Sequence, residues 1–322
     1  MTRRIPLIVT LVPLALGIGA WYLVWSGWRD RLETALRDIL PAETALSVGG
    51  FPYRLEARTG PVRLVQRDSA TVATLEADWL SVHRQPWRVD RQVINLLGPR
   101  AELAIRGLAG ASLALEAPSA QASLRLADGR IARASAVFEA ARLAAGFLPV
   151  GVRAERFEAH VRETPATMAR DGGAALPVQA QLVVAGEELR IGAGDPVRMS
   201  AALDLAAAVP VRSVAVWLAG GTVELRELVI ADREGEVARL AGTVSPGADR
   251  RLLFAGTVET VCPASVRAAL VGAPPVSEKR TRKPVRFALT GVLGAAAEIE
   301  PPAPGAVAPP VRAQAPPCPR LR

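Results

Sequence analysis

The chain has 322 residues, half of them hydrophobic, and carries a formal net charge of +8. This length allows one large or two modest domains, and an aromatic content of only 4% means that Ala, Val and Leu must build most of the core. Two histidines are too few for a three-histidine metal site, and there is no HExxH zinc-protease motif.

The first element is an uncharged run over residues 5–25. At about 1.5 Å per residue it spans the roughly 30 Å hydrocarbon core of a bilayer as one helix. Arg3 and Arg4 precede the run and mixed charges follow it. The positive-inside rule therefore predicts a single-pass anchor (residues 1–27) in a bacterial inner membrane, with the bulk of the chain in the periplasm. The alternative is a cleavable signal peptide that ends near Ala20.

Residues 28–44 form the next predicted segment, a stalk between the membrane and the ectodomain. Leu32 and Leu36 recur at helical spacing within residues 28–40, which indicates a short amphipathic helix that Pro41 ends. Four aromatic residues gather where the anchor meets this stalk, as is typical of a membrane–water interface: Trp21, Tyr22, Trp25 and Trp28.

From residue 45 the hydrophobic period changes to two, which is typical of half-buried antiparallel strands. The alternation is clear at residues 157–161 and 252–258, and turn-forming pairs such as Asp128-Gly129 separate the runs. The prediction is a mainly β protein, with a long, curved antiparallel sheet or open barrel over residues 45–295. One short helix, Pro263–Val271, interrupts the sheet and has Gly272 as its C-terminal cap.

Residues 296–322 are rich in proline and poor in large apolar residues, which predicts a disordered tail. Cys318 lies in this tail, far from Cys262, and the pair has no metal-ligand spacing. An oxidising periplasm permits a disulfide between them. Because nothing in the sequence holds the two segments together, their pairing stays open.

No catalytic pattern accompanies these elements: GxSxG, a P-loop and a GxGxxG motif after a strand are all absent. His83 lies between two tryptophans, where a hydrogen-bonded structural role is the simpler interpretation. We therefore expect no enzyme, no cofactor and no metal. Nucleic acid is not an expected partner, because the chain is exported and its arginines alternate with carboxylates and apolar residues.

The most distinctive short motif directly follows a first short strand and comprises Gly50, Phe51, Pro52, Tyr53 and Arg54. Glycine permits a positive φ and proline removes a backbone donor, so the motif suits a turn at the start of a sheet. A recognition site is the alternative.

This motif, the single anchor before it and the later Trp79 and Pro86-Trp87 together resemble the domain-of-unknown-function 2125 family, uncharacterised envelope proteins mostly of alphaproteobacteria. Residues 220–245 are similar to the later strands of that family and, more loosely, to AsmA-like envelope proteins. The resemblance covers about residues 5–295. It implies no functional residues, because the family has no established activity.

A long sheet with one Ala, Leu and Val face must cover that face by closing, by adding a second layer or by binding an acyl chain. One expected function is therefore lipid or amphiphile binding in envelope maintenance, with Leu225, Leu240 and Phe254 as candidate contacts on neighbouring apolar faces. The alternative is a ligand-free envelope scaffold that contacts other proteins through sheet edges. The sequence leaves the ligand and the oligomeric state open.

Overall fold

The structure is a computed structural model that describes residues 7–108, 111–148, 150–164, 176–211, 213–300, 311 and 315–322. Three helices occur within these residues: α1 (Leu7–Arg37), α2 (Val214–Leu218) and α3 (Pro263–Val271). The strands of the N-terminal half are β1 (Leu46–Gly49), β2 (Leu55–Thr59), β3 (Val62–Arg67), β4 (Thr71–Ala77), β5 (Trp79–Arg84), β6 (Arg91–Leu97), β7 (Arg100–Ile105), β8 (Ser112–Glu116), β9 (Ser119–Ala127) and β10 (Arg130–Ala145). The remaining strands are β11 (Val152–Glu163), β12 (Val178–Ile191), β13 (Val197–Ala206), β14 (Thr222–Asp232), β15 (Gly235–Pro246), β16 (Leu252–Thr260), β17 (Val285–Val292) and β18 (Glu298–Ile299).

All of these strands belong to one antiparallel meander. β10 pairs with β9 along its first part and with β8 along its last part. The neighbouring strands are divided into two segments in the same way. Each of the following pairs therefore forms one long strand with a break: β2–β3, β4–β5, β6–β7 and β8–β9. From β10 to β18 every strand pairs with the next. The predicted mainly β fold is confirmed, and the strands of the described residues form an open sheet that does not close into a barrel.

The breaks in these long strands lie at one level of the sheet. Asp78 separates β4 from β5 and faces Gly98, which separates β6 from β7 and donates its N–H to the Pro118 carbonyl at 2.8 Å. At the same level, β10 and β12 contain residues with a positive φ near +48°, Ala140 and Glu188. Irregularities of this kind bend and twist a strand, so their alignment creases the sheet.

The predicted anchor and stalk are one continuous helix, α1. Ser26 and Gly27 at the predicted junction weaken a helix but do not end it. The last turns of α1 are not a free-standing stalk either, because Trp25 and Leu32 are buried against Leu55 and its neighbours in β2 and β5. The first part of α1 is apolar and exposed, and the helix is long and apolar enough to span a membrane.

The inner face of the sheet is apolar across its whole width. Cross-strand register aligns one apolar residue from each of the strands that it crosses between β1 and β17: Val48, Ala57, Val82, Ile94, Ala122, Ala136, Ala159, Val184, Ala201, Leu228, Leu240, Val258 and Phe287. α1 packs on this face at the N-terminal end. At the other end lies α3, which has the predicted bounds and a left-handed Gly272 cap.

Part of the predicted disordered tail is instead ordered. Cys318 forms a disulfide with Cys262, with the two Cα atoms 5.8 Å apart. Arg320 pairs with Asp195 at 2.8 Å, and Leu321 packs into two apolar clusters. These contacts fix residues 315–322 against the β-rich domain, whereas residues 301–310 and 312–314 of the predicted tail lie outside the described part.

Candidate functional site

An apolar cavity of about 640 Å³ lies between α3 and the inner face of the C-terminal strands. Leu225, Leu240 and Phe254, the three residues predicted from sequence, all line it. Its further lining comes from α3, from Phe147 and Leu148 after β10, and from the segment that follows β17. The structure therefore brings the three candidates together in one concave site.

Strand register places the leucines. Leu225 faces Gly242, and Leu228 faces Leu240, with a register shift between the two pairs. One extra residue on β14 forms a β-bulge, so Leu225 and Leu228 both face inward although they are three positions apart. Leu228 was not predicted, because a strict period of two places it on the opposite face from Leu225. The change in leucine spacing from two to three was the available signal.

Phe254 has a different role from the two leucines. It is only 9% exposed, and its ring lies over the Gly242–Gly256 cross-strand pair. A Cβ atom at Gly242 would come within 2.7 Å of the ring. Phe254 therefore forms a packed floor, whereas Leu225 and Leu240 are only partly buried and can contact a ligand.

Polar groups are few along the cavity wall. Among the described residues that line it, Thr290 and Arg322 are the only ones with polar side chains. Next to Arg322, the Arg320 guanidinium hydrogen-bonds the Asp195 carboxylate and lowers the pKa of that carboxyl. The arrangement suits an apolar chain with an anionic end.

The outer face of the N-terminal strands carries a polar cluster around Glu56, which is buried. Arg58 donates a 2.5 Å hydrogen bond to Glu56, and this contact is the main cause of the lowered pKa of that carboxyl. His83 lies 3.8 Å from Glu56 and hydrogen-bonds the fully buried Ser81 at 2.9 Å. His83 is therefore hydrogen-bonded and partly buried, as expected. Among the residues described, no group of three or more His, Cys, Asp or Glu side chains is arranged to hold a metal ion.

The motif at residues 50–54 forms the turn between β1 and β2 and packs on α1. Gly50 has φ +104°, and the Phe51–Pro52 peptide bond is cis. The indole N–H of Trp21 donates to the Pro52 carbonyl at 3.0 Å, and that of Trp25 donates to the Arg54 carbonyl at 3.1 Å. The motif lies far from the cavity along the sheet, at the N-terminal end.

No curated protein and no solved structure matches this chain. A family model, described as an uncharacterized protein conserved in bacteria (DUF2125), matches residues 28–314. The match begins within the last turns of α1 and covers the whole sheet, Cys262 and every residue that lines the cavity except Arg322. Since it covers most of the chain, as the sequence motif predicted, this protein belongs to the DUF2125 family.

Proposed function

We propose that this protein is a periplasmic, membrane-anchored, non-catalytic protein that binds the acyl chain of a lipid or another amphiphile between α3 and the sheet. The observation that carries the proposal is the cavity itself. Its volume of about 640 Å³ falls within the range of roughly 300–1,000 Å³ typical of small-molecule sites. Leu225, Leu228 and Leu240 line it while remaining only partly buried, as a groove for hydrocarbon requires.

The charge at the cavity supports an amphiphile over a fully apolar ligand. Arg322 lines the cavity, where its guanidinium can pair with a phosphate or carboxylate head group. Each methylene transferred from water into such a site contributes about 0.8 kcal/mol, so the chain supplies most of the affinity. We therefore expect an anionic or zwitterionic lipid.

The proposed location rests on α1. Its N-terminal part exposes apolar side chains such as Leu16, 69% exposed, to a degree that a water-soluble surface rarely tolerates. A bilayer would cover this surface, and the arginines at positions 3 and 4 would hold the N-terminus in the cytoplasm. The ectodomain would then face the periplasm.

The test is lipid extraction and native mass spectrometry of the purified full chain and of two matched variants. Leu240→Asp places a carboxylate in the cavity, whereas Leu253→Asp places one on the opposite face of the adjacent strand, where Leu253 is 41% exposed. Bound lipid should fall about tenfold or more in Leu240→Asp, because about 1.4 kcal/mol already lowers affinity tenfold and an unpaired buried carboxylate costs more. Leu253→Asp should retain its lipid.

Two results would contradict the proposal. A wild-type protein that carries no acyl lipid has no ligand of this kind. If Leu240→Asp unfolds while Leu253→Asp does not, Leu240 belongs to an ordinary core. Either result would favour the alternative of a ligand-free envelope scaffold.

A further inference from the structure

We infer that the loops at residues 50–54 and 85–90 form a second membrane contact, which seats the ectodomain on the surface of the bilayer that α1 spans. The inference rests on one part of the proposed function, that α1 spans the membrane. It does not depend on whether the cavity binds lipid. It assigns a role to the Gly-Phe-Pro-Tyr-Arg motif that acyl-chain binding leaves unexplained.

The depth of the first loop is set by its contacts with α1. Trp21 and Trp25, at the outer end of the apolar run, donate indole hydrogen bonds of 3.0 and 3.1 Å to the loop backbone. The ring of Phe51 packs edge-on against Tyr22, with centroids 5.5 Å apart. Tryptophan and tyrosine rings at the end of a membrane span lie at the level of the head groups. A loop bonded to them must lie at that level too.

The second loop lies beside the first because of strand pairing. Leu55 begins β2 directly after the first loop, and its cross-strand partner Arg84 ends β5 directly before the second loop. Both loops expose side chains that suit an interface: Tyr53 is 72% exposed, and in the second loop Trp87 and Val89 are 53% and 55% exposed. Single exposed apolar residues are ordinary, but a cluster on two adjacent loops marks a contact surface.

The charges around these aromatic rings favour a lipid bilayer over a protein as the partner of the two loops. Arg54, Arg88 and Arg91 are exposed on or next to the two loops, and Asp90 is the one acidic residue within them. Arg54 also lies 3.4 Å from Glu56, whose side chain is buried behind it. Aromatic side chains interleaved with arginines match the boundary between acyl chains and anionic head groups.

The experiment is photo-crosslinking of the full chain in vesicles of phosphatidylethanolamine and phosphatidylglycerol. A diazirine-bearing side chain is introduced at one position at a time: 53, 87, 65 or 16. Val65 is the matched control, since it is 42% exposed on β3, beyond the crease from the two loops. Leu16 reports the membrane span. We expect about tenfold more lipid adducts at positions 53 and 87 than at position 65, because only interfacial side chains stay in contact with lipid.

Equal adduct yields at positions 53, 87 and 65, with strong labelling at position 16, would overturn the inference and leave the anchor intact. No lipid adduct at position 16 would overturn both the inference and the anchoring part of the proposed function. If positions 53 and 87 instead crosslink to a protein in native membranes and not to lipid, the surface is a protein interface and the inference is wrong. None of these outcomes depends on whether the cavity holds lipid.

Discussion

The ordered C-terminal segment depends on one covalent link, and removing that link has a calculable effect. Cys262 and Cys318 are separated by 56 positions, and a cross-link closing a loop of this size stabilises a fold by about 4 kcal/mol in the chain-entropy model. The exposed pair between Arg320 and Asp195 adds only about 0–1 kcal/mol. Replacing both cysteines with serine should therefore lower the free energy of unfolding by about 4 kcal/mol.

The measurement is urea unfolding of the full chain in detergent, followed by near-ultraviolet circular dichroism. Wild-type protein and the double variant are each compared with and without a thiol reductant. Reduced wild-type protein should unfold at the same urea concentration as the double variant, because both lack the closed loop. The double variant itself should not respond to the reductant, which is the internal control.

A destabilisation below about 1 kcal/mol would refute this reasoning, since even a short cross-linked loop contributes more in the same model. It would mean that the segment of residues 315–322 is held by its non-covalent contacts or is not held at all. Quantifying free thiols in the unreduced protein shows whether the disulfide had formed at all, because a formed disulfide leaves none at Cys262 and Cys318.

Two further substitutions test an ion pair on the outer face of the sheet and side-chain packing on its inner face. Glu56→Gln should lower stability at neutral pH but not in acid: Arg58 depresses the pKa of Glu56, so the ionised carboxylate contributes stability above its unfolded-state pKa and loses it as the pH falls through the folded pKa. An acid titration of unfolding for both proteins measures this convergence. Gly256→Ala should destabilise by about 1–3 kcal/mol because its Cβ would overlap the Phe254 ring and the facing backbone, whereas thermal unfolding of Gly49→Ala, which meets no neighbour, should show a much smaller change.

Much of the fold was accessible from local pattern. Period-two alternation identified the strands, and alternation also fixes which face each residue occupies. For this reason Leu225, Leu240 and Phe254 could be assigned to one apolar face without knowing the register. α3 was equally accessible, because proline at its start and Gly272 at its end are strong local signals.

The features that sequence analysis missed depend on contacts between distant segments. The ordered tail is one example, since Cys318 approaches Cys262 only because the loop after α3 folds back, where the Glu278 backbone carbonyl accepts a 2.8 Å hydrogen bond from the Cys318 backbone N–H. The role of the last turns of α1 is another. The spacing of Leu32 and Leu36 revealed an apolar stripe, but no local signal shows that the stripe packs on β2 and β5.

The crease belongs to the same class. Taken alone, each of Pro61, Gly98 and Pro118 is a local signal for the end of a strand, and the strands do break at these residues. Only the pairing register shows that the two strand segments on either side of a break pair with the two segments of the same neighbouring strand. The local signals therefore predict short strands, whereas the pairing makes long strands that bend together.

The cavity is a consequence of the curvature of the whole sheet. β10 and β17 are seven strands apart, so in a flat sheet with a spacing of about 4.8 Å they would lie about 34 Å from each other. Yet Phe147, after β10, approaches Gly294, after β17, so closely that a Cβ on Gly294 would lie 3.3 Å from the Phe147 Cα. The strands between β10 and β17 must therefore curl until the segments that follow these two strands meet across the inner face. Phe147 and Leu148 thereby become part of the wall of a cavity whose floor lies on β13–β17, and the volume of the cavity depends on strands that do not line it.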